Sequence, residues 1–189
     1  MEPKHSQFPP IVGLAGTFAS GKDTLARDLV KRGHYVHFST SDMVRAEASR
    51  LYGSTERPVL ARTADELRHR DGAGVFAARA LEMAGVRPVI VSGIRSLGEM
   101  DEIRRAGGAI VFIDTPVEIR YERMRLRQRD EEVSLSLEQF AANEQKELHS
   151  GDGPADFNLR DIKAGADIVI ENNLPIDDFI AEAERRLAD

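Results

Sequence analysis

The chain of 189 residues has no cysteine, which excludes disulfides and thiolate metal sites alike. It also lacks any apolar run near the roughly 20 residues that a bilayer span requires. Its polar, proline-tipped start, residues 1–10, has no apolar stretch of the kind a secretory signal needs. A soluble cytoplasmic protein is therefore expected. Excess positive charge is missing too: 26 Lys and Arg against 32 Asp and Glu leave a formal net charge of −6. That balance argues against general nucleic-acid affinity, so a chain that still handles polyanions must concentrate its cations locally. Repeats and low-complexity tracts are absent. His34 and His37 lie three apart without an acidic partner nearby in sequence, so no histidine metal site is expected.

What is present is enough apolar material for a core. Hydrophobic residues make up 41% and charged residues 31%, the balance of one compact domain. Residues 11–15, 88–91, 109–113 and 167–170 are continuous β-branched runs, as in strands covered on both faces. Residues 34–38 form a fifth, more polar candidate. Helical patterns fill the intervals, and several starts are marked. Ser96 with Glu99, Thr115 with Glu118 and Ser136 with Gln139 have capping-box spacing, and Pro116 takes the favoured first position. Gly33, Gly107 and Gly108 read as helix stops. Alternating strands and helices predict an α/β fold with a five-stranded parallel sheet flanked by helices. The expected core is 8–38, 86–127 and 161–189. Residues 39–85, two or three helices without a strand, and 128–160, a short lid, read as insertions over the carboxyl edge of the sheet, where open α/β sheets bind ligands.

The segment between the first strand and its helix carries the chemistry. Gly16, Thr17, Phe18, Ala19, Ser20, Gly21, Lys22, Asp23 and Thr24 form a phosphate-binding loop pattern. Glycines let backbone N–H groups turn inward around phosphate oxygens, and the helix N-terminus adds partial positive charge. Lys22 supplies a point charge for the outer phosphates, while a hydroxyl holds Mg²⁺. The residue after the lysine is Asp23, with the hydroxyl one place later at Thr24; which of the two organises the metal stays open.

The second concentration of charge lies after Thr115. Residues 119–129 hold Arg120, Arg123, Arg125, Arg127 and Arg129 against Glu122 alone, +4 within a −6 protein. Residues 120, 123 and 127 share one helical face.

Four segments resemble the adenylate kinase family. The phosphate loop fits that family, with Asp23 in place of a glycine, and residues 38–46 resemble the segment after its second strand. The resemblance implies that Thr40 lines the base of a phosphoryl acceptor and that Arg45 grips its phosphate; Ser41 replaces a family glycine. Residues 91–96 are similar to the family stretch after the third strand, which makes Arg95 a second phosphate clamp and places Ser92 where the family has a metal-organising aspartate. Paired arginines suit one phosphate because guanidinium groups bind oxygens bidentately. Arg68 is a weaker acceptor candidate. Arg123 and Arg127 match the family spacing for stacking on adenine and holding phosphates, and Arg129 would sit in the lid. No arginine occurs over 130–159, so the lid looks more like that of dephospho-CoA kinases and an archaeal kinase-like family. The closing residues 165–173 resemble theirs as well, making Asn172 and Asn173 nucleotide-contact candidates.

These features together imply an ATP- and Mg²⁺-dependent phosphotransferase, with Lys22, Arg95, Arg123 and Arg127 acting on the transferred group. A nucleoside monophosphate is the leading acceptor, since a phosphate needs positioning and charge screening but no base. Two alternatives stand beside it. One is a dephospho-CoA kinase-like enzyme in which Asp42 takes a hydroxyl proton; the other is an ATP-dependent switch or assembly factor read by a protein partner. A small-molecule nucleotide substrate, no membrane and no nucleic acid are the expected partners.

Overall fold

A β-branched centre wrapped by amphipathic helices organises the computed structural model, which describes residues 8–126, 135–151 and 153–188. In chain order the elements are β1 (Ile11–Gly16), α1 (Lys22–Lys31), β2 (Val36–Ser39), α2 (Thr40–Tyr52), α3 (Arg57–Asp71), α4 (Val75–Ala84) and β3 (Val89–Ile94). They continue with α5 (Leu97–Arg105), β4 (Ala109–Asp114), α6 (Val117–Leu126), α7 (Leu137–Leu148), α8 (Leu159–Ala164), β5 (Ile168–Glu171) and α9 (Ile176–Ala188). The strands form one sheet in the order β2-β3-β1-β4-β5, and every pairing is parallel.

Alternation along the strands divides the core in two. Val12 and Leu14 of β1 point to one face with Ile90 and Val111, against Leu25 and Leu29 of α1 and Phe179 and Ala183 of α9. Ala15, Val91 and Phe112 point to the other, against α4, α5 and α8 through Ala80, Ile103 and Ile162. Each fully buried Leu, Ile or Phe contributes about 1.5–3 kcal/mol by leaving water. Gly13 is needed for closeness on the second face, because a Cβ there would lie 2.8 Å from Ile110 Cδ1.

Two elements start or stop differently from the sequence expectation. β2 begins at Val36 because Gly33 N and His34 N still donate to Val30 O and Leu29 O, closing the end of α1. β3 runs on through Ser92 and Gly93 to Ile94. The capping boxes at Ser96–Glu99 and Ser136–Gln139 are both formed, and Ser39 caps α2 by accepting from Asp42 N. Three helices, α2 to α4, separate β2 from β3.

The topology positions the site. From β1 the chain passes over β3 to reach β2, whereas from β3 it passes over β1 to reach β4. Connections leaving adjacent strands in opposite directions open a crevice at their carboxyl ends.

Candidate functional site: a glycine-rich turn beside an arginine-lined cavity

Gly16 ends β1 at φ 146° and Gly21 starts α1 at φ 99°, with Ala19 between them at φ 60°. These left-handed conformations let the turn double back within five residues. Gly21 is the N-cap of α1 and has no side chain to satisfy the helix's first N–H groups. Lys22 is 9% exposed and its Nζ donates to Thr17 O at 3.2 Å, which lays the ammonium across the turn. Ser20 Oγ is buried with no hydrogen-bond partner among the described residues. Asp23 is exposed and Thr24 half-buried at the first turn of α1.

The turn is braced from the neighbouring strands. Ser20 O accepts from Thr115 Oγ1 at 3.0 Å and from Asn172 Nδ2 at 2.7 Å. Arg120 is 4% exposed: its Nε donates to Thr115 O at 2.8 Å, Nη1 to Phe18 O at 3.4 Å, and Nη2 lies 2.6 Å from Glu144 Oε1 of α7. The Phe18 ring meets Phe140 of α7 at a centroid distance of 6.2 Å.

Beside Phe18 opens a cavity of about 380 Å³. Among the described residues, Arg45, Arg57, Arg68, Arg95 and Arg120 line it, with Glu144 as the one carboxylate. Its apolar wall comes from α2, α3 and α6 through Val44, Leu60, Ala64 and Met124, with Phe140 and Phe157 completing it. Arg68 and Arg95 each place a guanidinium 5.4 Å from the Phe157 ring centroid. Arg68 is 7% exposed and pairs with the fully buried Glu99 at 3.3 Å, while its Nε has no hydrogen-bond partner among the described residues. Thr40 also lines the cavity, donating to Gly93 O at 2.9 Å.

A family model described as an AAA domain matches residues 12–149. A UPF0200 protein of Pyrobaculum aerophilum is 30% identical over 167 residues, covering 86% of this chain and 87% of that one. The chain belongs to the UPF0200 family and carries the AAA domain. A UPF0200/UPF0201 protein of Archaeoglobus fulgidus is 29% identical over 94% of this chain, which spans only 54% of that relative's length. Among solved structures, shikimate kinase from Bacteroides thetaiotaomicron superposes with TM-score 0.59 at 13% identity, over 93% of this chain and 96% of that one. A gluconokinase from Sinorhizobium meliloti 1021 gives 0.56 at 18%, over 97% and 94%. At these identities the likeness is one of fold alone, an α/β P-loop architecture, which is the fold class expected from the sequence.

Within this UPF0200 chain, Gly16, Ala19, Ser20, Gly21, Lys22, Asp23 and Thr24 are gathered at the phosphate loop, and Thr40, Arg45, Arg68 and Arg95 at the cavity. Asp42 is not on the cavity lining; its side chain is 74% exposed and lies 3.4 Å from Arg45. Asn172 is 3% exposed with both ends of its amide engaged inside the protein, and Asn173 takes the exposed position. Arg127 and Arg129 lie outside the described residues. Sequence reasoning missed Arg57, Glu99, Glu144 and Phe157, and it did not single out Arg120 from its helix. The capping box around Glu99 was legible, but not the buried arginine it serves.

Ser92, in the position of the family aspartate, is 1% exposed, with its Oγ 2.7 Å from His37 Nε2. Burial holds the His37 pKa below its ordinary 6.5, while Asp23 and Asp42 act in the opposite direction. Asp42 is also close to His37 in sequence, whereas Asp23 is brought to it by the fold. Among the described residues no group of three or more His, Asp or Glu could hold a metal ion, and no helix is long and apolar enough to cross a membrane.

Proposed function

We propose that the protein is an ATP-dependent phosphotransferase whose acceptor is a small anion, a nucleoside monophosphate first among them. The observation that carries this reading is the cavity beside the phosphate loop, lined among the described residues by five arginines and one carboxylate. Guanidinium groups recognise phosphate oxygens bidentately, and the apolar residues that share the lining with them suit a flat ring. Two features support a triphosphate at the loop: the glycine-rich turn that opens α1 without a side-chain cap, and the Lys22 ammonium laid across that turn. Two of the structural neighbours are named kinases.

In this reading Lys22 and Arg95 stabilise charge as it spreads over the transferred oxygens. Arg123 lies at the nucleotide side, and Arg127 keeps the phosphate-holding role its spacing implies. Arg45, Arg68 and Arg95 hold the acceptor anion, with Thr40 beside them. Mg²⁺ would screen charge between the outer phosphates. Hard oxygen donors suit it, and it commonly uses one or two protein oxygens plus substrate phosphates. Thr24 and Asp23 are of that kind at the start of α1.

A coupled ADP-release screen across nucleoside monophosphates, dephospho-CoA and small phosphorylated metabolites tests the proposal. A nucleoside monophosphate that raises ADP release at least tenfold over the acceptor-free rate is the expected result. ATP consumption independent of every acceptor would reject the phosphotransferase in favour of an ATP-driven switch.

One observation supports a hydroxyl acceptor as the second reading. Glu144 lines the cavity and lies 2.6 Å from Arg120 Nη2, whereas Asp42 is outside it. A hydroxyl acceptor would therefore meet Glu144, not Asp42, as its proton acceptor.

A further inference from the structure

Asn172 follows β5 and touches three parts of the site at once. Its Nδ2 donates to Ser20 O at 2.7 Å, and its Oδ1 accepts from Arg123 Nη2 at 3.1 Å. The same guanidinium nitrogen lies 3.3 Å from Asn172 O, and Asn172 N donates to Asp114 O at 2.7 Å, which anchors the residue to the end of β4. The approach to the loop is tight enough that a Cβ on Gly21 would come within 2.2 Å of Asn172 Nδ2.

The Ser20–Gly21 peptide is planar, so fixing the Ser20 carbonyl also fixes the direction of the Gly21 N–H on its opposite side. That N–H is one of the donors the turn offers to a phosphate. Of the common side chains of this size, only a primary amide donates to a carbonyl at one end while accepting from a guanidinium at the other. An aspartate would set an oxygen against the Ser20 carbonyl; an alanine would reach neither partner.

We propose that Asn172 is a positioning residue that couples Arg123 to the phosphate loop. Arg123 orients the amide, and the amide orients the Ser20–Gly21 peptide. Arg123 thereby strengthens phosphate binding without touching phosphate, in addition to any contact it makes with a nucleotide base. The inference rests on the loop binding a triphosphate, as proposed above.

The test uses ATP and inorganic tripolyphosphate, which has no base to stack on Arg123. Calorimetric Kd values are measured for the full chain and for N172A, N172D, R123M and R123M/N172A. N172A and N172D should each weaken both ligands by about tenfold, the loss of one well-placed hydrogen bond. R123M should weaken tripolyphosphate in the parent chain but add nothing in the N172A background. That non-additivity is a readout that a merely structural asparagine would not give. Tripolyphosphate affinity unchanged in N172A, or an R123M effect of equal size in both backgrounds, overturns the coupling. If N172A does not fold, the isosteric N172D decides: parent-like tripolyphosphate affinity in that variant overturns the proposal. A parent chain that binds neither ligand rejects the phosphate-loop reading itself, and this inference with it.

Discussion

The Glu99 carboxylate, fully buried at the start of α5, lies 3.3 Å from the Arg68 guanidinium of α3. It also accepts from Arg95 N at 2.8 Å and Ser96 N at 3.3 Å. One acid therefore holds two cavity arginines, Arg68 by its side chain and Arg95 by its backbone. Removing one member of a buried ion pair leaves the other charge uncompensated, at a cost of about 3–5 kcal/mol. Glu99→Ala is expected to lose stability on that scale in urea denaturation, and Arg68→Met likewise, because it leaves the buried Glu99 carboxylate with only the Arg95 and Ser96 backbone N–H groups for partners. A loss under about 1 kcal/mol for Glu99→Ala would mean that water reaches the pair.

Lys22 lies across the phosphate loop and contributes little to the hydrophobic core. Lys22→Met should leave the melting temperature within a few degrees while reducing turnover by about two to three orders of magnitude, the range for removing one charge-stabilising donor. Retained triphosphate affinity and turnover in that variant would sink the kinase reading.

Gly21 combines two constraints that a side chain violates together: φ of 99° and Asn172 Nδ2 at 2.2 Å from an added Cβ. Gly21→Ala should cost about 1–3 kcal/mol from the backbone conformation alone, and displacing Asn172 should also weaken ATP. Gly33, also at positive φ, has nothing within 4 Å of an added Cβ, so Gly33→Ala should lose stability without changing ATP affinity. Comparing the two by thermal melts with and without ATP separates strain from site geometry.

How much of this was legible in sequence depends on the range of the interaction. The loop from Gly16 to Thr24 is a local pattern, and so are the capping boxes at Ser96 and Ser136; both appear where spacing places them. The inner strands β1, β3 and β4 announced themselves because both faces are buried, which leaves continuous apolar runs. Long-range pairings were not legible. Glu99 reads as a helix cap, and nothing in the spacing reveals Arg68, 31 positions earlier, as its partner. Asn172 reads as a nucleotide-contact candidate, and nothing local reveals its partner Ser20, 152 positions away. Arg120 belongs to the same cluster as Arg123, yet its burial depends on Glu144 from a different helix. Asp42 is the opposite case: a plausible spot directly after β2, but one whose side chain leaves the cavity.

His37 gives the fold a pH dependence of known sign. Its pKa in the folded protein is held below 6.5, chiefly by burial. As pH falls through about 6.5 the unfolded chain takes up this proton first, so the folded state loses stability from there down to the lower folded value. Above pH 6.5 the contribution is complete. Melting temperature should therefore be lower at pH 5 than at pH 7.5, and His37→Gln should shrink that difference. An unchanged difference in the variant would assign the acid sensitivity to other groups.

Asp42 and Glu144 separate the two acceptor chemistries. A phosphate acceptor is already an anion and gives up no proton of consequence in the transfer. With a nucleoside monophosphate, Asp42→Asn should leave kcat within about threefold of the parent, because losing a general base costs about 10²–10⁴-fold and none is removed. Glu144→Gln should chiefly raise KM, since Arg120 loses the partner that ties α6 and the loop to α7. A hydroxyl acceptor reverses the second outcome: Glu144→Gln would then lower kcat by about 10²-fold or more while Asp42→Asn stays active. Steady-state kcat and KM for both variants, on whichever acceptor the ADP-release screen returns, read the difference directly. A large kcat loss in Asp42→Asn alone would show that the α2 end moves inward during turnover and would return Asp42 to the reacting centre.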